Sequence, residues 1–305
     1  MNPARPRPPA RAYARVVSSW FSSPGDATAR LNGGGYLADG PTSTTAFLAG
    51  ALEKPLLIEG PAGVGKTELA KAVARTCGAD LVRLQCYEGL DEARALYEWN
   101  YKKQLLRIQA SGGQESWDQT HDDIFTDEFL LTRPLLTAIR RETPTVLLVD
   151  EVDKTDVEVE GLLLEVLSDF QVTIPELGTI RAVRRPYVVV TSNATRELSE
   201  ALKRRCLYLH LDYPDLERER AIVLSQVPGL DERLALQLVT MVGRLRELEL
   251  KKAPSVAESI DWARTLLALE IGTLDEAAVA ETLGVVLKHA SDHDRAVREL
   301  RLRRA

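Results

Sequence analysis

Cysteine is scarce in this chain. Cys77, Cys86 and Cys206 are its three, far apart and without a C-x-x-C pair, a pattern that excludes a disulfide frame and a zinc site built on paired thiolates. Long apolar runs are missing too. None approaches the roughly 20 residues that a helical membrane span needs, and no signal-peptide pattern opens the chain, so a cytoplasmic protein is expected. There is no basic surplus either: 39 Lys and Arg stand against 45 Asp and Glu, a net charge of -6. Phosphate neutralisation needs a basic face, so a dedicated nucleic-acid partner is disfavoured. Aromatic residues are only 6% of the chain, which singles out Tyr97, Trp99 and Tyr101 as either internal core or a face for a partner. What is present suits a globular protein: 305 residues, 45% hydrophobic and 28% charged, enough for one large α/β domain and a smaller one.

The stretch that organises the chain is Gly60-Pro61-Ala62-Gly63-Val64-Gly65-Lys66-Thr67. It follows the apolar run Leu56-Leu57-Ile58 and precedes a segment of helical spacing that starts at Glu68, which is the context the phosphate-loop pattern G-x-x-x-x-G-K-[ST] requires. The glycines let backbone N–H groups turn in around phosphate oxygens, and the helix N-terminus adds partial positive charge. Lys66 supplies a cation for the outer phosphates of a nucleotide, and the Thr67 hydroxyl can join a Mg²⁺ shell. Just upstream, Tyr36 and Leu37 either line an adenine pocket or simply pack.

The second landmark is Thr145-Val146-Leu147-Leu148-Val149-Asp150-Glu151. Four apolar residues predict a buried parallel strand with two carboxylates at its C-terminal end, where ligands sit in open α/β sheets. Asp150 is placed to hold Mg²⁺ through its waters and Glu151 to activate the attacking water. A further core strand at 187–193 ends in Asn193, whose amide would sit beside Asp150 if the two strands are neighbours. Between these strands, the alternation on both sides of Pro175-Glu176-Leu177-Gly178 predicts a β-hairpin. A short helix ends in the basic cluster Lys203-Arg204-Arg205, which suits the helix dipole and can also reach phosphates bound by a neighbouring subunit.

Three divisions are expected. Residues 1–25 carry Arg5, Arg7, Arg11 and Arg15 among four prolines and read as a disordered Pro/Arg-rich tail. Residues 26–213 form the α/β nucleotide-binding core, in which 110–128 reads as a long polar surface loop. Residues 214–305 form an all-helical domain with helices at 215–226, 231–250, 255–271 and 274–288. His289 and His293, four apart, read as a solvated helix end or a metal face without a third ligand.

These motifs in this order resemble an AAA+ ATPase: phosphate loop, Asp150-Glu151, Asn193, the Arg204-Arg205 cluster and a helical lid. The hairpin, Gly60 through Glu68, and Leu162-Leu163-Leu164-Glu165-Val166-Leu167 are similar to the MoxR branch. Gln85-Cys86-Tyr87-Glu88-Gly89-Leu90-Asp91, Tyr97-Glu98-Trp99-Asn100-Tyr101 and Leu202-Lys203-Arg204-Arg205-Cys206-Leu207-Tyr208 resemble a sub-branch found with aerobic carbon monoxide dehydrogenase and similar molybdenum hydroxylases.

The resemblance implies an AAA+ P-loop core, a parallel sheet between helices with an inserted hairpin, followed by a small helical lid. It implies ATP and Mg²⁺ bound by Gly60, Pro61, Ala62, Gly63, Val64, Gly65, Lys66, Thr67 and Glu68, with Thr67 and Asp150 at the metal. Glu151 is then the catalytic Glu, Asn193 the first sensor, and Arg205 the arginine finger, with Arg204 its close alternative. The second-sensor Arg expected within Pro254-Ser255-Val256-Ala257-Glu258 is missing, and Arg264 is the nearest candidate. Implied partners are copies of the chain in a ring, usually a hexamer, a von Willebrand factor A domain protein and a client metalloenzyme whose cofactor the ATPase helps install. A Rubisco-activase-like motor and a nucleotide-gated binding module with little turnover are the alternatives.

Overall fold

The computed structural model describes residues 20–110 and 117–301. In chain order the helices are α1 (Pro24–Gly33), α2 (Gly40–Leu52), α3 (Lys66–Cys77), α4 (Glu92–Ala95), α5 (Tyr101–Ala110), α6 (Trp117–Ile124), α7 (Pro134–Arg140), α8 (Val157–Asp169), α9 (Glu200–Arg205), α10 (Leu216–Gln226), α11 (Glu232–Arg246), α12 (Val256–Ala268), α13 (Glu276–Thr282) and α14 (Ala290–Glu299). The strands are β1 (Leu56–Glu59), β2 (Asp80–Gln85), β3 (Tyr97–Trp99), β4 (Leu130–Thr132), β5 (Thr145–Asp150), β6 (Gln171–Ile174), β7 (Gly178–Arg181), β8 (Tyr187–Ser192) and β9 (Leu207–His210). They group into two compact units. One holds the residues through Gly34, Ala38–Glu59 and Leu69–Leu209; the other holds Gly35–Leu37, Gly60–Glu68 and the chain from His210 on. The expected boundary at 213/214 thus falls at 209/210 in the contact pattern, and the phosphate loop groups with the C-terminal helices.

The first unit is organised by a five-stranded sheet of order β2-β5-β8-β1-β9. Parallel pairing sets Leu148 beside Val189 and Leu56 beside Val189 on its other side, so β8 is central. All six residues of β5 and all six of β8 are buried. Strands covered on both faces have no need to alternate, which is why they read as continuous apolar runs. The β6–β7 hairpin pairs Val172 with Ile180 and Ile174 with Gly178, as its alternation predicts, and Phe170, Val172 and Ile174 join the core. Trp99 also belongs to that core and packs edge-on to Phe125 at 5.1 Å between ring centres, whereas Tyr101 is exposed. Within the aromatic segment Trp99 is therefore core and Tyr101 is not.

Two expectations change here. Residues 110–128 are not simply a loop, since α6 and a 3-10 turn at Asp127–Phe129 lie within them, while 111–116 lie outside the described residues. Buried Gln104 donates to the Ile124 carbonyl at 2.8 Å, tying α5 to the end of α6. Of the expected Pro/Arg tail, residues 1–19 lie outside the described residues, and of 20–25 the first two pack while 22–25 are exposed. Trp20 and Phe21 are buried, Trp20 lies edge-on to Tyr187 at 5.1 Å, and Ser23 caps α1 by accepting from the Asp26 amide. Two aromatic anchors outweigh the local surplus of polar residues.

The helices of the second unit bury apolar stripes of period 3.6. Leu234, Leu238 and Val242 of α11 pack with Trp262 and Leu266 of α12 and with Val279 of α13. Asp231 caps α11, and Ser255 with Glu258 forms a capping box on α12. Trp262 is fully buried and donates through Nε1 to Thr282 Oγ1 at 2.7 Å. Replacing it, Trp262→Ala, should cost about 3–5 kcal/mol, read as a drop in the urea midpoint. No helix among the described residues is long and apolar enough to cross a membrane.

Candidate active site

The phosphate loop, Gly60–Glu68, connects β1 to α3 and closes against elements of its own unit. Gly60 has φ 151°, and a Cβ there would lie 1.8 Å from the Leu211 carbonyl oxygen. Gly63 has φ 74°, and its Cβ would meet Ser255 Oγ at 2.2 Å. Both positions need a residue without a side chain. Lys66 is only 6% exposed, and its ammonium donates to the carbonyl oxygens of Gly60 and Pro61, each at 2.7 Å. It is thereby held over the turn it would present to phosphate. Tyr36 is buried with a ring carbon 3.6 Å from where a Gly65 Cβ would stand, and the Leu37 carbonyl accepts from Arg218 at 3.0 Å.

In the sheet unit, parallel register brings the acidic pair together with partners from far away in sequence. Asp150 ends β5, with its side chain 3% exposed. Thr191 donates to its Oδ1 at 2.6 Å, and Arg83 donates to its Oδ2 at 2.5 Å. Glu151 adopts the left-handed conformation at φ 59° and ψ 49°, an uncommon state for a residue with a Cβ and one found at functional sites. Its amide donates to Thr191 Oγ1 at 2.9 Å. Its Oε1 accepts from Asn193 Nδ2 at 3.1 Å, and its Oε2 accepts from Gln85 Nε2 at 2.9 Å and Lys154 Nζ at 2.7 Å. The two strands are neighbours as required; the Asn193 amide reaches Glu151, and Thr191, two residues earlier, donates to Asp150.

Asp153 is a site residue that the sequence pattern did not single out. It accepts from the amides of Asn193 and Thr195, at 3.1 and 3.0 Å, and from the Thr195 hydroxyl at 2.6 Å. Burial pushes its pKa up, but these hydrogen bonds to the charged form outweigh burial and leave it below the usual aspartate value of 3.8. A lowered native pKa means that stability from this group is full above 3.8 and is lost as pH falls through the lower native value. Asp153→Asn should therefore cost about 1–3 kcal/mol near neutral pH, with the gap to wild type closing in urea titrations below pH 3.8. The only hint in the sequence is its position three residues after Asp150. Beside the cluster, the buried Cys86 thiol is pushed up to about 12, first by burial and then by the charges of Asp150, Asp153 and Glu151, so it is no nucleophile at neutral pH.

Residues 55–206 match the family model for the AAA domain (dynein-related subfamily). This segment carries the AAA+ P-loop fold. An AAA+ domain implies an ATPase, with nucleotide binding and usually Mg²⁺. An "Uncharacterized protein" of Staphylococcus aureus (strain NCTC 8325 / PS 47) is 28% identical over 225 residues, covering 72% of this chain and 77% of that one. Protein NorQ of Paracoccus denitrificans (strain Pd 1222) is 26% identical over 221 residues, covering 70% and 73%. A mutant of Thermotoga maritima RuvB aligns at a TM-score of 0.47 and 16% identity, covering 84% of this chain and 74% of that structure.

The basic cluster lies at the C-terminal end of α9 in this AAA+ domain. Arg204 is 81% exposed, 3.9 Å from Glu200, whereas Arg205 donates through Nε to Ser168 Oγ at 2.7 Å and through Nη1 to the Ala201 carbonyl at 3.2 Å. In the helical unit, Arg264 is exposed and faces Asp261 of its own helix at 3.4 Å. Arg246 instead forms a two-pronged pair with buried Glu219, at 2.5 and 2.8 Å. No cluster of three metal-ligating side chains occurs among the described residues, and Asp292, between His289 and His293, accepts from the Lys251 and Lys252 amides.

Proposed function

We propose that the chain is a MoxR-type ATPase that hydrolyses ATP between the subunits of a ring, a hexamer, and spends that energy remodelling a client protein. The observation that carries the hydrolytic part is the grip on Glu151. Asn193, Gln85 and Lys154 fix both carboxylate oxygens, which orients a base before its water arrives and limits reorganisation. The loop fits phosphate, because Gly60 and Gly63 leave no room for a Cβ and Lys66 is held by carbonyl oxygens that phosphate oxygens can replace. In this reading Gly60 through Glu68 cradle ATP, Thr67 and Asp150 hold Mg²⁺, and Tyr36 and Leu37 border the base. Mg²⁺ would offset charge on the outer phosphates.

The client we propose is a molybdenum hydroxylase or similar metalloenzyme, engaged together with a von Willebrand factor A domain protein in the cytoplasm. The sequence likenesses at residues 85–91, 97–101 and 202–208 support it, as does similarity to Protein NorQ for the MoxR type. AAA+ proteins usually form rings, and a cation supplied in trans makes turnover depend on assembly. The test is ATP turnover per subunit against protein concentration, which should rise as the ring forms. Bound ATP without turnover at any concentration, with or without a partner, would favour a nucleotide-gated binding module.

The motif match puts the finger at Arg205, whereas protrusion into solvent favours Arg204. Arg205→Ala should abolish turnover, a loss of about 10³-fold or more for an arginine finger, and Arg204→Ala should reduce it less. The reverse order would move the finger to Arg204.

A further inference from the structure

Asp150 is almost completely shielded from water, and a carboxylate so placed needs compensating partners. Thr191 supplies a hydroxyl, and Arg83 supplies a full positive charge at 2.5 Å from Oδ2. Arg83 sits on β2, two residues before Gln85 and on the same face of the strand, with its side chain 49% exposed. It can therefore swing into solvent when another cation takes its place on Asp150. Its guanidinium also donates to Gln85 Oε1, and Gln85 in turn holds Glu151 Oε2 at 2.9 Å. One cation thus touches Asp150 directly and Glu151 through a single amide.

We infer that Arg83 is a resident counter-ion of Asp150, a positioning residue that Mg²⁺ displaces when nucleotide loads. The inference rests on the reading of Asp150 as the metal-holding carboxylate. Two cations drawn to one carboxylate repel each other at a few ångströms, so metal at Asp150 and the Arg83 pair weaken one another. Departure of Arg83 removes a donor from Gln85, which loosens the Gln85 grip on Glu151. Loading of the metal then reaches the base through Arg83 and Gln85, while Asn193 and Lys154 keep Glu151 oriented. Lysine and arginine differ in fork geometry, but a charge at this position is sufficient for the competition.

The experiment is a Mg²⁺ titration of fluorescent ADP binding by the full chain, following affinity rather than turnover. Arg83→Met keeps the stem and removes the charge. It should lower the Mg²⁺ concentration at half-effect by about tenfold, equivalent to about 1.4 kcal/mol. Arg83→Lys should stay near wild type, and Asp150→Asn should erase the Mg²⁺ dependence. An Arg83→Met midpoint equal to or above that of wild type, while Asp150→Asn still erases the dependence, overturns the inference and leaves the assignment of Asp150 intact. A wild-type Mg²⁺ response in Asp150→Asn overturns both. A purely structural role for Arg83 would lower the melting temperature of Arg83→Met without moving its Mg²⁺ midpoint, and that result also counts against the inference.

Discussion

Glu151→Gln should lower ATP turnover by about 10²–10⁴-fold, the usual contribution of a positioned general base, while nucleotide affinity changes by no more than a few-fold. The substitution keeps the shape of the side chain and removes its basicity. Oε1 can still accept from Asn193 Nδ2. On the other side, the new amide nitrogen would face Gln85 Nε2 and Lys154 Nζ, which now donate to Oε2. Two donors meeting a third is unfavourable, so the variant should also lose about 1 kcal/mol of stability, visible as a lower melting temperature without nucleotide. Turnover of a purified preparation at one fixed, high protein concentration, next to an equilibrium binding titration, separates the two effects. Turnover kept within a few-fold of wild type would remove Glu151 from the chemistry and leave its hydrogen bonds as support for the end of β5.

Gly60→Ala should be the most damaging single-methyl change in the phosphate loop. Its Cβ would stand 1.8 Å from the Leu211 carbonyl oxygen and 2.9 Å from the carbonyl carbon, both backbone atoms that cannot rotate away. The backbone at φ 151° adds strain of its own for a residue with a side chain. Overpacking and strain of this kind cost about 1–3 kcal/mol each, so a loss of about 3–5 kcal/mol is expected in urea unfolding. Relief requires the loop to leave Leu211. That would displace the Gly60 carbonyl, one of the two that hold Lys66, and nucleotide affinity should fall with it. A well-folded variant of unchanged stability would mean that the loop and Leu211 separate freely in solution.

The phosphate loop was legible in the sequence because its chemistry is local. Three glycines, a lysine and a threonine at fixed spacing set both the backbone path and the charge, and an apolar strand and an amphipathic helix flank them within a few residues. β5 and β8 were legible for a related reason, since strands buried on both faces leave unbroken apolar runs. The hairpin announced itself by alternation on both sides of Pro175 and Gly178. Composition places Trp20 and Phe21 in a tail because it averages over a window, whereas two buried aromatic rings outweigh many polar neighbours. α6 is hidden in the sequence because a short acidic helix has too few apolar positions to display its period.

The sequence by itself determined the AAA+ core: a parallel sheet, a phosphate loop, a carboxylate pair at the end of one strand, an amide at the end of another and helices to follow. Only the tertiary structure decided what holds those carboxylates. Thr191, Gln85 and Arg83 lie 40 to 67 positions from the acidic residues they bond, and each is an ordinary polar residue when read in its own neighbourhood. They become partners because β2, β5 and β8 lie side by side in one parallel register, which sets Gln85 opposite Asp150 and Val149 opposite Val190. Apolar periodicity states that a strand will be buried. The choice of neighbouring strands, and of the step at which they align, is made by packing of the whole sheet, and that choice fixes which polar side chain meets which carboxylate.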